Sequence, residues 1–308
     1  MMPAFATDDA ASVHATDTVD VDRLARGVDR IIADGIDILA TTGSFGEFHT
    51  LLDDEYATLA RATVETVRQR VPVFVGCTAL NTRDAFRRAE VARDAGADGV
   101  LVGVPFYFPS TVENAVQFYR ELAVEFSDLA IMIYHNPTLH HVTLPIRAMK
   151  QLAELPNIVA MKDAHRETRD FLALQRATRG QIRVFVAAWQ FHGYRHLGAA
   201  GFWSYDCWMG PAPLVRLRDA VITGRIDEAA DITLDLYPPR EQLPSLSWRE
   251  TLAKVAIAHA GYVAPGPLRP PFVIIPPEVD QAARDRSARW LAACERYGAL
   301  QGAAPTGS

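Results

Sequence analysis

Ile158-Val159-Ala160-Met161-Lys162-Asp163 is a short apolar run that closes on a lysine and an aspartate. Its length and composition read as a buried parallel strand. A lysine at the carboxyl end of such a strand is unusual, because lysine is rarely buried without a partner or a function. Desolvation favours the neutral amine, and a neutral amine attacks a ketone to form a Schiff base. Taken alone, such a lysine more often marks a strand end and reaches water. Two other segments, around Gly43 and Tyr134, reverse that balance.

Similar runs recur along the chain. Ile36–Thr42, Val71–Thr78, Gly99–Pro105, Ala130–Asn136, Arg183–Ala188 and Gly201–Asp206 read as further strands. Amphipathic segments separate them: Asp53–Arg70, Thr82–Ala95, Thr111–Phe126, Pro145–Leu155 and Arg166–Thr178. Asp53 and Thr82 are expected N-caps, and Gly96 and Gly180 fit helix ends. A strand–helix beat of roughly 25 to 30 residues is the signature of βαβ units and a parallel sheet.

With an eighth strand near Met2–Thr7, the count predicts an α/β fold, a (β/α)8 TIM barrel over residues 1–225. That length is close to the ~250 residues typical of such barrels. A doubly wound sheet is the rival, but no G-x-G-x-x-G follows any strand. From Ile226 the strand signal fades. Asp227–Leu236, Trp248–Ala260 and Glu278–Tyr297 read as helices of a C-terminal extension over 226–301, with Pro265-Gly266-Pro267-Leu268-Arg269-Pro270-Pro271 as a stiff connector. Residues 302–308 read as a disordered tail.

Composition narrows the function. At 308 residues, 49% hydrophobic and 22% charged, the chain is an ordinary globular protein with ample length for a large core. No stretch reaches the ~20 apolar residues of a membrane span. No basic region followed by an apolar one opens the chain, so a signal peptide is not expected. Cys77, Cys207 and Cys294 are scattered and odd in number, which fits neither a disulfide framework nor a metal motif. A cytoplasmic protein is the expectation. A net charge of -6 without a basic stripe argues against nucleic acid. His135, His140 and His141 lack the spacing of a helical zinc site, so no metal is expected.

In a barrel, catalytic side chains project from the carboxyl ends of strands. Three segments sit there. Gly43-Ser44-Phe45-Gly46-Glu47 is a glycine turn able to present N–H groups and a hydroxyl to an anion. Tyr134-His135-Asn136-Pro137 ends another strand, and Lys162 follows about one βα unit later. Each has an ordinary reading: a turn, a core aromatic, a strand end.

Together, Gly43–Glu47 with Thr50-Leu51, Tyr134-x-Asn136-Pro137 and Lys162 resemble the dihydrodipicolinate synthase / N-acetylneuraminate lyase superfamily of Schiff-base aldolases. The resemblance covers nearly the whole chain. Phe74–Arg83, Ala115–Arg120, Phe202-Trp203-Ser204 and Gly266–Pro271 bring it closest to the trans-o-hydroxybenzylidenepyruvate hydratase-aldolases and 2'-carboxybenzalpyruvate aldolases of aromatic-hydrocarbon degradation. The resemblance implies that Lys162 forms the Schiff base with a pyruvate-type substrate and that Tyr134 shuttles protons. It assigns the substrate carboxylate to the Ser44 hydroxyl and the Ser44 and Phe45 N–H groups. Asn136 and Trp203 occupy positions that approach the reacting carbon or aromatic part, and Tyr107 that of a proton-relay tyrosine. It also implies no organic cofactor and a homo-oligomer, commonly a tetramer.

Departures matter as much. Dihydrodipicolinate synthases carry a carboxylate-binding arginine where this chain has Leu139, which argues against a role in lysine biosynthesis. Phe45 stands in place of a threonine. With Phe106, Phe108, Trp203 and Trp208 it suggests an aromatic pocket, although core packing explains each singly. The expected substrate is therefore a benzylidenepyruvate, cleaved to an aromatic aldehyde and pyruvate. An ortho-hydroxyl would suit a hydrogen-bonding His or Asn; an ortho-carboxylate would suit a protonated His135, His140, His141 or His165. Sequence leaves that choice open. The alternatives are another pyruvate aldolase or dehydratase acting on a sugar acid or short keto acid, and a non-catalytic keto-acid-binding barrel.

Overall fold

The computed structural model describes residues 1–238 and 246–298, so the tail read at 302–308 lies outside the described residues. In chain order the helices are α1 (Val21–Ala33), α2 (Asp53–Val67), α3 (Thr82–Asp94), α4 (Val112–Glu125), α5 (Pro137–His140), α6 (Ile146–Leu152), α7 (Thr168–Thr178), α8 (Ala188–Tyr194), α9 (Ala212–Ile222), α10 (Ile226–Leu236), α11 (Leu246–Ala260) and α12 (Pro277–Gly298). The strands are β1 (Leu39–Ala40), β2 (Val73–Gly76), β3 (Gly99–Val102), β4 (Ala130–His135), β5 (Ile158–Asp163), β6 (Arg183–Ala187) and β7 (Gly201–Trp203). Contacts divide the chain into two compact units. One is Met1, Leu39–Gly43 and Pro72–Trp203; the other is Met2–Ile38, Ser44–Val71 and Ser204–Ser308.

The first unit holds the whole sheet. Its seven strands are parallel and lie in sequence order, β1 to β7. Val73–Gly76 and Gly99–Val102 are buried at every position, as in strands covered on both faces. The Asp98 carboxylate accepts the Val73 N–H at 2.8 Å and so ties the entry of β2 to that of β3.

The helix caps fall one residue before the expected ones. Asn81, not Thr82, caps α3, its side-chain oxygen accepting the Asp84 N–H at 3.0 Å. Leu52 precedes α2, and Glu55 reaches back to accept the Leu52 N–H at 2.8 Å, so Asp53 is the first helical residue. Gly96 and Gly180 end their helices with left-handed φ of 79° and 73°, as expected.

The second unit corrects the reading of the N-terminus. Residues 2–7 form no strand; the segment makes one isolated antiparallel bridge, Ala6 to Val19. Pro3 offers no N–H. Several other backbone groups are taken by side chains and loops: Arg269 donates to the Ala4 carbonyl, Arg23 to that of Ala6, and the Ala6 N–H reaches the Pro265 carbonyl. The polar residues that follow form α1, capped by Asp20 and burying Leu24, Gly27, Val28 and Ile31 on one face.

A buried ionic cluster organises this unit. Glu47 accepts Lys254 Nζ at 2.8 and 2.9 Å and Arg269 Nη1 at 2.7 Å. Lys254 gives its third proton to the Pro267 carbonyl, and Arg269 donates to both the side chain and the carbonyl of Thr18. Burial pulls Lys254 below the usual lysine range, and Glu47 opposes that shift. Lys254 and Arg269 are each 2% exposed, so neither could fall back on water if Glu47 were lost. Glu47→Ala is therefore expected to cost roughly 3–5 kcal/mol. Asp29→Ala, which loses the half-exposed contact with Arg70, should cost under about 1 kcal/mol. Urea unfolding of the two variants checks the contrast.

Candidate active site

The parallel pairing of β4 with β5 sets Tyr134 opposite Lys162 and His135 opposite Asp163, at the carboxyl ends of both strands. Lys162 Nζ lies 3.5 Å from the Tyr134 hydroxyl, a long hydrogen bond. The same amine sits 4.5 Å from the centre of the Tyr134 ring and 5.4 Å from that of Trp203, at the end of β7. Both distances suit a cation over an aromatic face. Tyr134 and Trp203 are buried and Lys162 is half-buried. Among the described residues the buried Trp203 indole N–H has no hydrogen-bond partner.

Behind this trio lies a polar cluster. Asp163 Oδ2 is 3.1 Å from His135 Nδ1 and 2.7 Å from Arg166 Nε, with both side chains nearly inaccessible. These are close charge contacts whose N–H groups do not aim straight at the oxygen. Asp163 Oδ1 accepts the His165 N–H at 3.0 Å. His135 Nε2 accepts the Leu144 N–H at 3.2 Å, so the ring proton sits on Nδ1, facing Asp163. Arg166 closes the loop by donating to the Leu144 carbonyl at 2.6 Å. Burial alone would raise the Asp163 carboxyl; the adjoining His135 ring and the charge of Arg166 outweigh it and hold the group below its usual range.

His140 supports Tyr134 from another side. It ends α5, and its ring meets that of Tyr134 edge-on, 5.1 Å between centres. It also lies against Gly103, where a Cβ would stand 2.1 Å from His140 Cε1, so only glycine fits there. Burial pushes the imidazole down to about 4; the Lys162 charge adds to this, and a hydrogen bond to the Tyr134 carbonyl opposes it. His140 is therefore uncharged at neutral pH, whereas His141 and His165 are exposed.

The other candidates are spread more widely. Asn136 caps α5, its Oδ1 accepting the Leu139 N–H at 3.3 Å. Tyr107 is 73% exposed and packs on the equally exposed Phe108. In the second unit, Phe45 is buried and stacked on Tyr205, 4.7 Å between ring centres. Ser44, beside it, is half-buried, and its carbonyl accepts the Glu47 N–H. The left-handed residues of this stretch are Thr42 and Glu47, at φ of 44° and 55°, rather than its glycines. Gly43 is needed for space: a Cβ would lie 2.2 Å from Met1 Cε. Trp208 is fully buried on the edge of Phe5 and is a core residue rather than part of an aromatic pocket. Asp163 and Arg166 had no assigned role in the sequence reading. Their signal was present as an Asp-x-x-Arg step directly after Lys162.

Residues 6–287 match the model of the dihydrodipicolinate synthetase family. The chain belongs to that family. Trans-O-hydroxybenzylidenepyruvate hydratase-aldolase of Sphingobium xenophagum is 33% identical over 303 residues, covering 94% of this chain and 92% of its own length. Trans-2'-carboxybenzalpyruvate hydratase-aldolase of Nocardioides sp. (strain KP7) is 30% identical, covering 96% of this chain and 93% of itself. A solved structure described as PhdJ bound to substrate intermediate has a TM-score of 0.90 at 30% identity, covering 96% of this chain and 95% of that one. The fold class is that of the family, a TIM barrel with additional C-terminal helices.

The two titrating groups behind Tyr134 and Lys162 act in different pH windows. His140 has a folded value of about 4 against 6.5 for a free imidazole. Between those values the unfolded chain binds a proton that the folded chain does not, so stability falls as pH drops through that window. Asp163 has a depressed value, so its contribution is lost only at lower pH, once the carboxyl is protonated. His140→Gln should flatten the melting temperature between pH 6.5 and 4 and leave the more acidic decline in place. Thermal melts across pH check this.

Proposed function

We propose that this protein is a Schiff-base hydratase-aldolase that cleaves an ortho-substituted benzylidenepyruvate to an aromatic aldehyde and pyruvate. The observation that carries the reading is the 3.5 Å approach of the Lys162 amine to the Tyr134 hydroxyl at the carboxyl ends of adjacent strands. The names and coverage of the hydratase-aldolase relatives support it.

The chemistry follows from these groups. Neutral Lys162 attacks the 2-keto carbon, and Tyr134 passes protons as the carbinolamine loses water. The resulting iminium is a stronger electron sink than the ketone, so water adds at C4 of the conjugated chain, and protonation of the enamine so formed at C3 restores the iminium. Removal of the proton from the new C4 hydroxyl breaks the C3–C4 bond. The aromatic aldehyde leaves, and the electron pair stays in an enamine of pyruvate. Protonation at C3 and hydrolysis release pyruvate and restore the lysine. The buried Trp203 indole N–H is a free donor for a substrate oxygen, and Asn136 stands two residues beyond Tyr134. The assignment of Ser44 and Phe45 to the substrate carboxylate, and of Tyr107 to a proton relay, rests on family resemblance. So does a homotetramer. No step calls for a metal or an organic cofactor. Three cysteines outside any disulfide fit a reducing cytoplasm.

Borohydride reduction in the presence of pyruvate, read by intact mass, tests the reading. A reduced pyruvate adduct is expected on wild type and not on Lys162→Ala. A folded wild type that gains no mass would leave a keto-acid-binding barrel as the better account. Tyr134→Phe should keep the fold and lower kcat for cleavage by about 10²–10⁴-fold, the usual worth of acid–base assistance.

A further inference from the structure

Register decides whether Tyr134 and Lys162 meet, and the strands that carry them are not in uniform register. Ile131 pairs with Ile158, but the next residue, Met132, pairs with Ala160, so β5 holds an extra residue at Val159. Had the first pairing simply continued, Tyr134 would lie opposite Met161, and Lys162 opposite His135. A slip of one residue turns a strand's side chains to the other face. The irregularity therefore sets the amine beside the hydroxyl, and something must hold the shifted register beyond it.

The next pair along the strands is His135 opposite Asp163. The two side chains touch, at 3.1 Å, and are almost wholly buried. Asp163 is held in turn by Arg166, three residues along the same chain, at 2.7 Å. His135 and Arg166 grip the N–H and the carbonyl of Leu144 at 3.2 and 2.6 Å. A return to the uniform register would part His135 from Asp163 and leave a carboxylate and a guanidinium buried with altered partners, which is costly. We infer that His135, Asp163 and Arg166 form a register lock: positioning residues that hold the Tyr134 hydroxyl against the Lys162 amine without touching substrate. The inference rests on the reading of Tyr134 and Lys162 as the reactive pair.

The lock makes distinct demands on position 135. An asparagine there keeps an N–H near the site of Nδ1 and so keeps the link to Asp163, but loses the acceptor for Leu144. A leucine keeps bulk and loses both. The test compares wild type, His135→Asn and His135→Leu at a temperature well below all three melting points. It reads the rate of borohydride-trappable pyruvate adduct, and kcat and KM for cleavage. His135→Leu is expected to lower kcat and the trapping rate together by about 10- to 100-fold, the scale of an ångström-level misplacement, with KM little changed. His135→Asn is expected to retain most of both rates. Where His135→Leu does not fold, Asp163→Asn is read instead; it keeps the volume, weakens the hold on Arg166, and should lower both rates in the same way. A folded His135→Leu or Asp163→Asn that traps pyruvate at the wild-type rate, with only its melting temperature lowered, overturns the lock and leaves the function intact. A wild type that forms no adduct overturns the function and the lock with it.

Discussion

An amine and a phenol can share a proton only when their strands are held in register to within a fraction of an ångström. In this protein the pairing of β4 with β5 imposes that constraint, and much of the first unit is arranged around it. The sheet supplies largely buried strands. The extra residue at Val159 supplies the offset. Asp163, His135 and Arg166 supply buried polar contacts just beyond Tyr134 and Lys162, where the strands end and backbone pairing no longer helps. His140, uncharged and pressed on Gly103, backs the tyrosine without adding a second positive charge beside the lysine.

Charge is handled differently in the two units. Around Lys162 the partners are aromatic faces and a hydroxyl, which stabilise a cation weakly and leave the amine able to change its bonding. Lys254 is the opposite case. All three of its protons are committed, two to Glu47 and one to a backbone carbonyl, and Arg269 shares the same carboxylate. The two lysines thus differ in the number and kind of acceptors around the nitrogen rather than in burial alone.

Sequence carried the seven strands and most helices, because apolar runs alternating with amphipathic ones leave few other folds. β5 begins and ends where the pattern placed it. The helices from residue 226 on lie within two residues of their expected bounds. What the pattern missed had local causes. α1 was hidden because charged residues surround a stripe that includes Gly27, although Asp20 gives a normal cap signal. The expected eighth strand has the right composition, but its backbone groups are claimed by arginines from elsewhere in the chain, which no local rule sees. That Lys162 and Tyr134 come from adjacent strands was legible from their spacing. The Val159 irregularity was not, because it arises from pairing with β4. Tyr107 was placed by resemblance alone and stands out in solvent.

Arg269 has a consequence for how the molecule comes into being. It donates to Thr18, 251 residues earlier, and to the carbonyls of the first few residues. Its partner Glu47 is 222 residues away. During synthesis the N-terminal segment leaves the ribosome long before the side chain that completes it. For most of translation the Ala4 carbonyl and Thr18 lack the donor that Arg269 brings, while the strands of the other unit, made of near-neighbour pairings, are free to assemble. A side chain about seven-eighths of the way along the chain is thus what finishes its first twenty residues.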